Sequence, residues 1–167
     1  MATTTVDVYL MDIIIIGLKN SGKSTFLNAF TKPETDSDGW STGIININEE
    51  VDARFIEPPK SYGSNFMWTH ELIQDSDPHG FIVMCDSSNH ASFGETVGIL
   101  QTIRSFHPDT PCLLVGNKQD AKGAWLAEDI QLAFSISKDI IATPCDSTDR
   151  KQVKNVVIEL LTAIWNT

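Results

Sequence analysis

A chain of 167 residues with 41% hydrophobic and 20% charged residues is long enough to bury a real core and is composed like an ordinary globular domain. Its 22 acidic residues against 12 basic ones give a net charge of −10, which argues against sequence-independent nucleic-acid binding and against attraction to anionic lipid. No apolar run reaches the roughly eighteen residues of a membrane span, no charged-then-apolar leader opens the chain, and Cys85, Cys112 and Cys145 are too widely spaced for a metal site or a disulfide framework.

In chain order, strands are expected near Val6 to Ile16, Ile44 to Asn48, Asp52 to Ile56, Phe81 to Asp86, Cys112 to Gly116 and Ile140 to Thr143. Helices are expected near Lys23 to Thr31, Phe66 to Ile73, Ser92 to Phe106, Ala127 to Phe134 and Arg150 to Trp165. The last carries Val153, Val156, Val157, Leu160, Leu161 and Ile164 at core spacing. Such alternation predicts one α/β domain over 1–167: a mostly parallel six-stranded sheet with helices on both faces. Glu49 to Asp52 reads as a hairpin turn joining the second and third strands, which supplies the one antiparallel edge strand. Ligands of such sheets bind at the carboxyl ends of the strands.

Gly17-Leu18-Lys19-Asn20-Ser21-Gly22-Lys23-Ser24 fits G-x-x-x-x-G-K-[ST] and follows the apolar run Met11 to Ile16 directly. A strand feeding a glycine-rich loop and then a helix aims backbone N–H groups and the positive end of a helix dipole at phosphate. Gly17 and Lys19 to Thr25 are therefore the candidate phosphate contacts. Lys23 adds a point charge, and the Ser24 hydroxyl is a candidate Mg²⁺ ligand between β- and γ-phosphate oxygens. A second motif, Asn117-Lys118-Gln119-Asp120, closes the strand-like run Cys112 to Val115.

Together, a phosphate loop and a later N-K-x-D resemble the Ras-like small GTPases, and the resemblance covers almost the whole chain. It implies a P-loop G domain binding GTP or GDP with Mg²⁺. It also implies that the Asp120 carboxylate accepts from guanine N1 and its exocyclic amine, that Asn117 binds N7 and ties the loops together, and that the Lys118 stem lies along the base. Adenine offers neither donor pattern, and a polar mismatch of this kind discriminates strongly. Thr143-Pro144-Cys145-Asp146-Ser147 stands where the family carries a loop whose backbone N–H receives guanine O6. Asp146 is the candidate for that N–H, with Cys145 beside it; alternatively Asp146, Ser147 or Asp149 caps the last helix.

Phe66-Met67-Trp68, Gly80-Phe81-Ile82-Val83 and Val153-Lys154-Asn155-Val156 narrow the resemblance to bacterial gliding-motility GTPases and those paired with Roadblock-domain proteins, which implies a regulatory protein partner, with a Roadblock-type domain as the candidate. The lack of a span and of a leader predicts a cytoplasmic protein, and with Ala at residue 2 and no prenylation cysteine in Ile164-Trp165-Asn166-Thr167 no autonomous membrane anchor is expected.

The switch segments depart from the family pattern. Thr42 is near the spacing of the first-switch threonine that ligates Mg²⁺, with Ser41 as its competitor in the polar stretch Pro33 to Gly43. The second switch aligns best as Glu57-Pro58-Pro59-Lys60 followed by Ser61, in place of D-x-x-G and a glutamine. Glu57 suits a magnesium water, Lys60 stands where glycine is expected, and Ser61 is short for orienting an attacking water. Lys19 and Asn20 are candidate compensators, the latter resembling a potassium-binding asparagine; alternatively Lys19 points to solvent and Asn20 only shapes the loop. Two functions stay open: a slow GTPase switch whose hydrolysis a partner completes, and a nucleotide-binding pseudoenzyme serving as a scaffold. An ATPase or kinase would require Asn117 and Asp120 to be coincidental.

Overall fold

The computed structural model describes residues 7–135 and 139–167. The elements run β1 (Tyr9–Gly17), α1 (Lys23–Phe30), β2 (Glu34–Thr35), β3 (Ser41–Asn46), β4 (Val51–Glu57), α2 (Phe66–Asp75), β5 (Gly80–Asp86), α3 (Phe93–Phe106), β6 (Cys112–Asn117), α4 (Ala127–Ala133), β7 (Ile141–Pro144) and α5 (Arg150–Trp165). The expected strands and helices are all present, within a few residues at their ends; Val6, placed in the first strand, lies outside the described residues.

The sheet has seven strands in the order β2-β3-β4-β1-β5-β6-β7, one more than the six expected. The extra strand is Glu34–Thr35, inside the stretch read as polar loop. Two exposed polar residues carry no alternation by which a strand could be recognised. Antiparallel pairing therefore occurs twice, β2 with β3 and β3 with β4, and not at one edge strand only. The hairpin between β3 and β4 closes where expected: Ile47 and Asn48 N–H donate to the Val51 carbonyl at 3.0 and 3.2 Å, and the Asn48 side chain accepts from Glu50 N–H at 2.8 Å. All other pairs are parallel.

Strand β1 is central, and its run of isoleucines serves both faces because side chains alternate along a strand. Ile13 and Ile15 pack with Phe26, Leu27, Phe55, Val153 and Leu160 under α1 and α5. Ile14 and Ile16 pack with Ile73, Phe81, Ile99, Ile103 and Ile130 under α2, α3 and α4. The three cysteines are free and buried. Because β4 pairs on one side of β1 and β5 on the other, the chain reverses its winding at β1. Such a switch point opens a crevice at the carboxyl ends of the strands, where Gly17 leaves the sheet.

Candidate functional site

The phosphate loop turns from β1 into α1 through Asn20 (φ 64°) and Gly22 (φ 97°). Among the described residues three non-glycine residues have positive φ, and two of them, Asn20 and Lys118, lie in the candidate loops; such backbone concentrates at functional sites. Gly22 is also required sterically, since a Cβ there would sit 2.1 Å from the Asn117 amide nitrogen. Helix α1 begins with no side-chain cap and no acidic residue in its first turn, so its leading N–H groups are open to an anion.

Lys23 is buried, and its ammonium donates to the Gly17 and Leu18 carbonyls at 2.8 and 2.9 Å. Burial pushes its pKa down from 10.5 to about 8, partly offset by the nearby Glu57 carboxylate. A cation held where its charge is costly is a site that an anion would relieve. The Ser24 hydroxyl donates to buried Glu57 at 2.7 Å, joining the head of α1 to the end of β4. These two hard oxygen donors suit Mg²⁺, which keeps waters and phosphate oxygens for most of its shell. A cleft of about 620 Å³ runs along this wall, lined by Lys19, Asn20, Gly22, Lys23, Ser24, Thr25, Glu57, Lys60 and Lys118. That volume lies within the range of small-ligand sites.

The two motifs meet through Asn117. Its amide nitrogen donates to the Ser21 carbonyl at 2.9 Å, while its oxygen accepts from the Ser147 N–H and hydroxyl at 3.0 and 2.8 Å. Lys118 is aimed by Asp86, at the end of β5, with 2.9 Å between ammonium and carboxylate. Hydrogen bonds from Ser88 and the Lys118 charge hold the Asp86 pKa below the usual carboxylate range against the opposing effect of burial. Asp120 is exposed. Cys145 is buried, its N–H donating to the Gly116 carbonyl at 2.9 Å. The Asp146 N–H donates to the Gln152 side chain at 2.8 Å, and its carboxylate accepts from the Thr148 N–H and hydroxyl. The N–H chosen for guanine O6 is thus already satisfied by a protein group in this conformation. The helix cap is Asp149, which accepts from Lys151 and Gln152 N–H.

Other candidates stand apart. Thr42 is not in a loop: it pairs with Glu34 on one side and Ile56 on the other. Ser41 lies opposite Glu57. Directly opposed residues of an antiparallel pair share a face, so Ser41 is on the Glu57 side of the sheet and Thr42 on the reverse. Ser61 is exposed and outside the residues lining the cleft. Lys60, set in the glycine position by the alignment, lines the cleft, and the glycine that approaches the phosphate loop is Gly63. Its carbonyl accepts from Lys19 N–H at 3.1 Å, and a Cβ on it would stand 2.9 Å from that nitrogen. Two prolines and a 3-10 turn over Lys60–Ser64 lengthen the connection, which is why a fixed spacing from Glu57 misses Gly63. Asp86 and Ser147 were also missed as functional partners. Only their positions at strand ends pointed to them.

No protein-family model matches the chain. It is similar to ADP-ribosylation factor-like protein 10 of Mus musculus, 30% identical over 72% of this chain and 50% of the relative, so the match spans half of that protein's length. It is 26% identical to ADP-ribosylation factor-like protein 3 of Saccharomyces cerevisiae over 74% of this chain and 67% of the relative. Among solved structures, the Arl6 BBS3 small GTPase of Trypanosoma brucei, with bound nucleotide analogue GppNp, superposes with a TM-score of 0.74 at 16% identity. That likeness covers 95% of this chain and 99% of that one. The fold is that of the Ras-like GTPases. The sequence relatives are ADP-ribosylation factor-like proteins, and they do not carry the narrower link to bacterial gliding-motility and Roadblock-associated GTPases.

Proposed function

We propose that this Ras-like chain is a single G domain that binds GTP and GDP with Mg²⁺ and acts as a molecular switch, hydrolysing GTP slowly with the help of a regulatory protein partner. The observation that carries the reading is the joining of a buried, carbonyl-held Lys23 to the N-K-x-D loop through Asn117. Phosphate and base elements that lie far apart in sequence then form one cleft. In this reading Lys23 and the N–H groups of Lys19 to Thr25 hold phosphates. Ser24 and Glu57 form the magnesium corner, and the Ser41-Thr42 step supplies the first-switch hydroxyl, with Ser41 on the Glu57 side in the present conformation. Asn117, Lys118 and Asp120 receive guanine, and the Cys145-Asp146 loop flanks it. Bound Mg²⁺ would neutralise charge developing on the phosphates.

Hydrolysis is expected to be slow because Ser61, the residue in place of glutamine, is exposed and off the cleft wall, and positioning is most of phosphoryl-transfer catalysis. The same observation favours a second reading, a pseudoenzyme that holds nucleotide as part of an interaction scaffold. A Roadblock-type partner rests on the sequence resemblance, and a cytoplasmic setting on the lack of a membrane span or leader in the sequence. Single-turnover assays with GTP and ATP separate the readings. Slow GTP-selective turnover supports the switch, GTP binding without turnover supports the scaffold, and equal use of ATP would reject guanine selectivity.

A further inference from the structure

We propose that Lys60 is a triphosphate-reading residue, a cation carried on the chain's own second-switch segment that closes on the terminal phosphate and so distinguishes GTP from GDP. This rests on the nucleotide reading above. The cleft wall carries four lysines, Lys19, Lys23, Lys60 and Lys118, against the single acid Glu57, in a chain whose net charge is −10. Two of those lysines are already engaged, Lys23 by the Gly17 and Leu18 carbonyls and Lys118 by Asp86. The ion pairs among the described residues are Arg54 with Asp12, Arg104 with Asp139 and Lys118 with Asp86; Lys19 and Lys60 enter none of them, and of these two Lys60 is the one carried on the segment that follows Glu57. An unpaired cation on a concave wall of an acidic protein awaits an anion from outside.

Position specifies which anion. In the nucleotide reading Lys118 belongs to the base side of the cleft, and the Ser24–Glu57 corner, whose oxygens would hold Mg²⁺, to the phosphate side. Lys60 follows Glu57 on the same segment, across Pro58 and Pro59. Its backbone is anchored on both sides. Pro58 is buried, the Tyr62 N–H donates to the Pro59 carbonyl at 2.9 Å, and the Gly63 carbonyl is tied to Lys19 N–H at 3.1 Å. The ammonium is therefore carried on a braced turn of the cleft wall, three residues beyond the Glu57 of the magnesium corner, and in the proposal it meets the third phosphate. A lysine there supplies charge where the family pattern supplies a glycine N–H, and it does so without glutamine.

The test titrates the full chain in Mg²⁺ with GDP and with the non-hydrolysable β,γ-imido analogue of GTP. The variants are Lys60→Ala, Lys60→Arg and, as an equal change of charge on the exposed face of α5, Lys154→Ala. Lys60→Ala should weaken the triphosphate analogue about tenfold while moving GDP by less than about twofold, and Lys60→Arg should keep most of the difference. Retained GDP binding doubles as the check that the variant is folded. Equal loss for both nucleotides, no loss for either, or the same effect from Lys154→Ala would overturn the proposal while leaving guanine-nucleotide binding standing. A wild-type chain that binds neither nucleotide would overturn the nucleotide reading and this inference with it.

Discussion

Replacing Lys23 with Met removes a buried ammonium whose pKa is pushed from 10.5 to about 8, and the consequence for stability has a definite sign. Below pH 8 folded and unfolded chains both hold the proton, and the folded state bears the full cost of burying the charge. Between about 8 and 10.5 the unfolded lysine keeps a proton that the folded one has released, so stability rises with pH across that window. Integrating from pH 7 to 10 with roughly 1.4 kcal/mol per pKa unit gives a relief of about 2.5 kcal/mol. The cysteines act in the opposite direction at the alkaline end. Burial pushes Cys85 and Cys145 up to about 11 and Cys112 up to about 12, so unfolded thiols ionise first. The informative quantity is therefore the difference between wild type and Lys23→Met, in which the thiols cancel. Urea unfolding of both nucleotide-free proteins at several pH values should show the wild type gaining about 2.5 kcal/mol on the variant from pH 7 to 10. A difference that stays flat or falls would refute the argument that Lys23 is held at an electrostatic cost. A bound polyphosphate should abolish the rise, because the ammonium then has its counter-charge.

Two further outcomes follow from named contacts. Asp120→Asn converts an acceptor into a mixed donor and acceptor, so preference should move from guanine toward xanthine nucleotide; unchanged GDP affinity and selectivity would remove Asp120 from the base site. Gly63→Ala puts a Cβ against backbone atoms, 2.9 Å from Lys19 N and 3.1 Å from the Gly17 carbonyl oxygen. Over-packing of this kind costs about 1–3 kcal/mol, and hydrogen exchange at the Lys19 amide should accelerate as its bond to Gly63 is lost; unaltered stability and exchange would show that the turn is free to move away.

What the sequence made legible follows physical lines. The apolar runs of β1, β5 and β6 are buried on both faces, so any pattern rule finds them, and the phosphate loop is recognised because its chemistry fixes its spacing. Strand β2 has two polar residues and exists only because β3 offers it an edge. Distance from Ser24 singles out Thr42, but strand pairing, which sequence spacing does not encode, sets Ser41 on the Glu57 face and Thr42 on the reverse. Gly63 was missed for a related reason. A fixed offset assumes a loop of standard length, whereas the Pro58-Pro59 step and the 3-10 turn carry the close-approach glycine further along the chain. Asp86 aims Lys118, yet an acid at a strand end has many possible uses until its partner is seen.

The unity of the site depends on one amide. Asn117 spends its nitrogen on the Ser21 carbonyl and its oxygen on Ser147, and its nitrogen also occupies the space that a side chain at position 22 would need. An aspartate could still accept from Ser147 but would present an oxygen to the Ser21 carbonyl, opposing acceptor to acceptor in a buried place. A leucine would fill the volume and leave both loops unjoined. Only a side chain with a donor and an acceptor fixed in one plane closes the phosphate loop, the N-K-x-D loop and the loop after β7 onto one another. Whatever binds between Lys23 and Asp120 therefore meets three strand ends set in a common frame.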